Sequence, residues 1–215
     1  MKHKLHLIAL LLVSLLSTTL MATEEDDQVH QAATILNRFR SMPEGQIPRH
    51  IMRDAKGLAI LSVVKGGFIF SGKYGKGVVV TRSGKGWAGP SFIRTTGIGF
   101  GPQVGGQVTD VVLVLNTKEA VRAFTSGTTA QLGGALSVAA GPIGRAAEAG
   151  VTDRAAIYAY SLNKGLFAGA SLEGTVITAR DDANARYYKQ QVTPASILSG
   201  KVSSPRRSSE LIASL

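Results

Sequence analysis

Residues 58–82 read LAILSVVKGGFIFSGKYGKGVVVTR. Short runs of Val, Ile, Leu and Phe bounded by glycine are the grammar of β-strands. The same stretch contains Gly67-Phe-Ile-Phe-Ser-Gly72-Lys73, which has the spacing of a phosphate-binding P-loop. That loop needs Ser or Thr after the lysine, whose hydroxyl ligates magnesium, and a helix that opens at once so that backbone amides face the phosphates. Here Tyr74 follows Lys73, Phe68-Ile69-Phe70 favours a strand, and Gly75 and Gly77 stand where the helix should begin. The stretch predicts strands, and nucleotide hydrolysis is excluded.

The same punctuation continues downstream in SFIRTTGIGF (91–100) and DVVLVLN (110–116). The GIGFG at 97–101 is no dinucleotide fingerprint, because Pro102 and a further strand-like run follow it in place of a long helix. Asn116-Thr117-Lys118-Glu119 predicts a cap and a helix to about Ser126, with Val121 and Phe124 in a segment free of Gly and Pro. Further strand-like pieces lie at Leu136–Ala140, Ala155–Leu162 and Leu166–Ile177. Asp181–Gln190 and Pro194–Leu198 read as closing helices, and Lys201–Ser209 as the start of a loose tail.

An internal echo links two parts of the chain. Ser62, Lys65 and Gly66 recur as Ser161, Lys164 and Gly165, and Val78 and Arg82 recur as Val176 and Arg180. One pair of stretches is too few for a solenoid. The reading is therefore α+β: an antiparallel, β-rich barrel or sandwich with approximate internal duplication, flanked by several helices. Coincidence between two Gly/Val-rich segments is the alternative.

Upstream of the strands, Val29, Ala32, Ala33, Leu36 and Phe39 recur at helical spacing, with carboxylates at the start and Arg38 and Arg40 near the end, as the helix dipole prefers. Pro48 can open a second, short helix that carries Arg49, Arg53 and Lys56 along one side, with Gly57 available to end it. Before both helices stand Lys2 and Lys4, the apolar run Leu5–Leu16 and the small-residue exit at Ala22, the layout of a secretory signal peptide. The apolar run is shorter than the ~20 residues a membrane span needs. The expected organisation is a signal peptide at 1–22, an acidic leader with an amphipathic helix at 23–46, the main domain at 47–202 and a flexible tail at 203–215. Export to the periplasm or medium follows from the first of these.

The 215 residues include no cysteine and carry a formal charge of +10. Disulfides are excluded, so stability must come from packing. Without the two signal lysines, 22 basic residues face 14 acidic ones, a balance that favours anionic partners such as phospholipid surfaces. Nucleic acid is disfavoured, because the basic residues are scattered and few aromatics are available for stacking.

Enzyme readings run out of residues. Only His30 and His50 lie beyond the signal segment, so a zinc site or a histidine relay has little to draw on. Gly169-Ala170-Ser171-Leu172-Glu173 resembles a nucleophile elbow but has Glu where the second Gly belongs. Asp54, Asp110, Glu173 and Asp181 show no spacing that pairs them. No catalytic residue, metal or cofactor is expected.

What remains is a repeated pairing of lysine with glycine. Glycine lets backbone amides turn outward and lysine adds a mobile charge, so such turns can hold phosphate without catalysing anything. The expected phosphate contacts are Lys65, Lys73, Lys76 and Lys85, with Arg94 behind them and the Arg49, Arg53, Lys56 face as a second candidate. Solvated hairpin turns are the alternative. Trp87 could be an interfacial aromatic or, as the single Trp, part of the core.

The strings AKGLAI (55–60), SGKYGKGVVVTR (71–82), Trp87 with Gly89-Pro90-Ser91, FGPQVGGQ (100–107), AAGPIGR (139–145) and above all YSLNKGLFAGASLEG (160–174) resemble the SYLF domain family. The resemblance runs from about Ile47 to Val202. It implies a compact α+β domain that binds phospholipids, phosphoinositides in eukaryotic members, and that is linked to actin filaments in fungal and animal adaptors, with no enzymatic activity. Here the chain reads as an exported, bacterial-type member. It would meet actin only if delivered to a host cell. The family's N-terminal helix is credited with membrane contact, yet in this chain Glu24–Asp27 would be repelled by an anionic surface, which leaves the lysine-glycine segments as the expected contact.

Overall fold

The computed structural model describes residues 23–42, 47–67, 70–100, 105–126, 130–132, 137–142, 155–162 and 175–215. The expected signal peptide, the elbow-like segment 169–173 and most of the string 160–174 lie outside them.

Helix α1 (Glu24–Ser41) begins at a capping box, in which the Thr23 hydroxyl accepts from Asp26 N at 3.3 Å and the Asp26 carboxylate accepts from Thr23 N at 3.2 Å. Its Val29, Ala32, Ala33, Ile35, Leu36 and Phe39 are buried. Pro48 precedes the short α2 (Arg49–Asp54). Four long strands follow: β1 (Gly57–Gly67), β2 (Phe70–Ser83), β3 (Gly86–Phe100) and β4 (Gly105–Leu115). β1, β2 and β3 pair in succession, and β4 returns to the free side of β1, which is the Greek-key order. After α3 (Lys118–Thr125) come the short strands β5 (Ala130–Gln131), β6 (Val138–Ala140), β7 (Ile157–Ser161) and β8 (Val176–Ala179). The chain closes with α4 (Asp181–Tyr188), α5 (Pro194–Leu198), a 3-10 turn at Arg206–Ser208 and α6 (Ser209–Ala213).

The eight strands among the described residues form one sheet in the order β5-β8-β3-β2-β1-β4-β7-β6. It is mixed, because β6 and β7 run parallel while the other neighbours are antiparallel. Alternation along the strands gives each face its own residues. On one face Val112, Ile60, Val78 and Phe92 form a row across β4, β1, β2 and β3, each at most 1% exposed; α1 lies over β4, β1 and β2, and Phe92 packs on Tyr187 of α4 with ring centroids 5.0 Å apart. Each such side chain contributes about 1.5–3 kcal/mol when taken from water. On the opposite face Thr81 of β2 donates to the Leu198 carbonyl, which seats α5 there. The α+β expectation therefore holds as a single sheet with helices on both faces, and no sandwich of sheets is seen among the described residues.

One expectation is not shown and two are corrected. The duplication is not shown: β1 and β2 are neighbours, whereas β7 and β8 sit on opposite sides of the four long strands, and residues 163–174 of the second stretch lie outside the described residues. Segment 203–215 is packed, with Leu211 fully buried, Ser208 hydrogen-bonded to the Tyr187 hydroxyl at 2.9 Å and Glu210 paired with His30 at 2.9 Å. Finally, Lys65, Lys73 and Lys76 lie within strands, so only Lys85 occupies a turn.

Candidate functional site

Three consecutive rows on the α1 face of the sheet define the site. Innermost is the buried row Val112, Ile60, Val78, Phe92. One step toward the Gly67 end of β1 comes Asp110, Ser62, Lys76, Arg94, in register across the same four strands. α1 is pinned across this second row. Its Glu24 accepts from Lys76 at 2.7 Å and from Arg180 at 3.0 Å, and its Arg38 donates to Asp110 at 2.7 Å. The Glu24 carboxyl is held below the usual range by the hydrogen bond from Lys76 and then by that from Arg180, and the Lys76 ammonium is raised in turn.

A further step out, the row is Val108, Val64, Tyr74, Thr96. α1 does not cover it: Val108 is 59%, Val64 49% and Tyr74 47% exposed. Three large apolar side chains on adjacent strands, at the same level, make a contiguous exposed patch, which is a mark of an interaction surface.

The neighbouring positions project to the other face and carry charge. Lys65 and Lys73 stand directly opposite each other across β1 and β2. Like charges so placed repel. The Lys73 ammonium is accordingly held below the ordinary lysine range, first by its partial burial and then by Lys65. At the next level the sheet carries Gly66, Gly72 and Gly106 in register, and a Cβ added at Gly72 would meet nothing within 4 Å. This part of the sheet is thus apolar on one side, at Val64, Tyr74 and Val108, and basic on the other, at Lys65 and Lys73, with Gly72 exposed.

The expected contact residues divide into three groups. Lys65 and Lys73 are brought together. Lys76 and Arg94 face each other across β2 and β3 on the α1 side, and Lys76 is spent on Glu24. Lys85 lies in the β2–β3 turn at the far end of the sheet, ten strand residues from Lys73 and therefore roughly 30 Å away. Arg49, Arg53 and Lys56 are all exposed, with Arg53 paired to Asp54 at 3.2 Å. Trp87 is half-buried and lies under the Arg82 guanidinium, 4.3 Å from its ring centroid.

Two features escaped sequence reasoning. The exposed row was hidden because Val64, Tyr74 and Val108 look like ordinary strand residues until register aligns them. The acidic first turn of α1, read as a repellent end, is a set of anchors: Glu24 to Lys76 and Arg180, Glu25 to Arg186 at 2.7 Å, and Asp26 to Arg207 at 3.1 Å. With its apolar side in the core and its acidic end tied down, α1 is a structural helix in this conformation.

Among the described residues no group of three or more His, Cys, Asp or Glu could hold a metal, and no helix is long and apolar enough to cross a membrane.

Residues 96–215 match the family model described as Ysc84, Las17-binding protein actin regulator. The chain is 47% identical over 171 residues to Protein YSC84 of Saccharomyces cerevisiae, covering 77% of this chain and 36% of that protein. It is 47% identical over 164 residues to LAS seventeen-binding protein 3 of the same yeast, covering 74% and 36%. It is 42% identical over 192 residues to the human SH3 domain-containing YSC84-like protein 1, covering 86% and 56%. The chain thus spans between about a third and just over half of the length of these relatives.

Proposed function

The chain belongs to the Ysc84 (SYLF) family of non-enzymatic binding modules, and from that premise we propose that it docks on anionic phospholipid surfaces through the Gly67 end of its sheet. The observation that carries the reading is the alternation Val64-Lys65 and Lys73-Tyr74 on paired strands, which sets an exposed apolar row back to back with two ammonium groups. Apolar side chains of that size favour the headgroup–acyl boundary, and lysines beside them reach phosphates while their stems stay in apolar surroundings. Each basic residue near an anionic surface contributes on the order of 1 kcal/mol. Two lysines and three apolar contacts give reversible docking. The signal-like layout of residues 1–22 supports the further reading that this docking takes place outside the cytoplasm, in the periplasm or medium.

The test is cosedimentation with vesicles of neutral phosphatidylcholine and with the same vesicles containing acidic phospholipid. Binding to the acidic vesicles alone, weakened by salt and lost in both Lys65→Ala/Lys73→Ala and Val64→Ser/Tyr74→Ser, supports the reading. Equal sedimentation with neutral vesicles defeats it. For export, the protein from its native source should begin near Thr23 by mass spectrometry.

A second reading, supported by the description of the matching family as an actin regulator, is a protein-interaction module for actin filaments. Sedimentation with filaments in the absence of lipid tests it separately.

A further inference from the structure

At the opposite end of the sheet from Lys65 and Lys73, a cavity of about 540 Å³ opens between α1, α2 and the end of β2. Its volume lies within the range of small-molecule sites. The lining divides cleanly by chemistry. Leu36 and Phe39 of α1 with Ile47 are buried and form its floor, and the half-buried Met52 of α2 forms a wall. Around the mouth stand Arg40, Arg49, Arg53 and Arg82, all exposed, with Arg53 also paired to Asp54 at 3.2 Å, and Leu215 completes the lining among the described residues.

A dry floor beneath a ring of guanidinium groups fits a molecule with one apolar chain and one anionic head. Guanidinium recognises carboxylate and phosphate through paired N–H donors and is weakly hydrated, so a head group at the mouth is held in place while the chain displaces water from Leu36, Phe39 and Ile47. Four guanidinium groups outnumber the acidic groups described beside them, Asp54 on Arg53 and the α-carboxylate of Leu215, which disfavours a cationic amphiphile at the same mouth. We propose that this cavity is a binding site for a single-chain anionic amphiphile, with its chain against the α1 floor and its carboxylate or phosphate on Arg49 and Arg53. The site is separate from the sheet end proposed to meet the membrane surface, so the protein would hold one amphiphile independently of docking.

The molecule carries its own reporter. Arg82 lies in the mouth and stacks on Trp87, the single tryptophan of the chain, 4.3 Å from the ring centroid. A head group that draws on Arg82 changes the environment of that ring.

The experiment titrates the protein with dodecyl phosphate and with dodecanoate, both below micelle formation, and with dodecyl maltoside and dodecyltrimethylammonium as neutral and cationic counterparts. Trp87 emission is followed, and heat of binding is measured in parallel. The expected result is saturable, one-to-one binding of the anionic probes, at least tenfold weaker for the other two. Arg49→Glu/Arg53→Glu should weaken it at least tenfold with an unchanged melting curve, and Met52→Glu should do the same from the apolar side. Lys65→Ala/Lys73→Ala should leave it unchanged while vesicle docking falls, which separates this site from the proposed membrane contact. Dodecyl phosphate and dodecanoate binding equally assigns the shared anionic chemistry; one alone narrows the head group. Absence of heat and of emission change, binding indifferent to head-group charge, or an acidic peptide that saturates the arginines where the amphiphiles do not would each overturn the proposal.

Discussion

Glu24 and Lys76, 52 residues apart in the chain, meet at 2.7 Å, with the ammonium donating to Oε1. The contact joins the first turn of α1 to the middle of β2, and Arg180 completes it from the other side at 3.0 Å. It decides two things at once: α1 is fixed on the sheet, and Lys76 is withdrawn from any ligand.

Glu24→Gln should therefore lower stability. The side chain is about half exposed, so screening limits the loss to about 0.5–1 kcal/mol at pH 7. Because the folded carboxyl titrates below its ordinary value of 4.5, its contribution is present above that value and is lost as pH falls through the depressed folded one. Denaturant unfolding of parent and variant should show a gap at pH 7 that closes toward pH 3. A gap that persists in acid would mean that the contact is not ionic in effect.

Glu25 makes a different demand. It is 3% exposed, and its Oε1 accepts from Arg186 Nε at 2.9 Å and Nη2 at 2.7 Å. Arg186→Ala strands a buried carboxylate and should lower stability. Glu25→Gln, which keeps an acceptor and removes the charge, should cost less. Thermal melts of the two variants give the order directly, and the reverse order would show that the carboxylate is satisfied by something other than Arg186.

Local pattern made the elements legible. The strand runs from Leu58 to Asn116, the helix of Val29 to Phe39 and the cap at Thr117 all follow from periodicity and end chemistry that act within a few residues. What the pattern could not reach was register. Nothing local says that Val64 lies beside both Tyr74 and Val108, or that Lys65 opposes Lys73, because those relations depend on which residue of β1 meets which of β2 and β4. The tail was misread for a related reason. Its Ser, Pro and Arg content resembles a solvated segment, yet Arg207 stacks on the Tyr187 ring at 4.1 Å and Leu211 enters the core, partners that only the closed fold supplies.

Leu211→Ala tests that closure. Leu211 is fully buried, and removing such a side chain leaves a cavity that costs about 2–4 kcal/mol. A flexible tail would lose nothing. The variant should unfold at lower denaturant concentration, and 203–215 should become the first segment cut by protease. Unchanged stability would restore the reading of this segment as a loose tail.

The lysines offer the last and most discriminating prediction, because geometry assigns residues of one chemical type to different work. Lys76 sits one row inside Tyr74 on the α1 face and is bonded to Glu24, whereas Lys65 and Lys73 stand opposed on the other face at the open end of the sheet. Lys76→Ala should reduce stability and leave docking on acidic vesicles within about twofold once the protein is folded. Lys65→Ala/Lys73→Ala should weigh the other way. Removing two like charges that face each other relieves their repulsion, so stability should fall less than in Lys76→Ala, while docking falls roughly tenfold or more from the loss of two contributions on the order of 1 kcal/mol each. Raising salt should narrow the difference between parent and double variant, since contacts at an exposed edge are screened over about 8 Å at physiological ionic strength. Melting curves and vesicle sedimentation on the same preparations check both halves. If Lys76→Ala abolishes docking with its melting curve intact, the membrane contact lies on the α1 face after all, and Glu24 must release Lys76 to expose it.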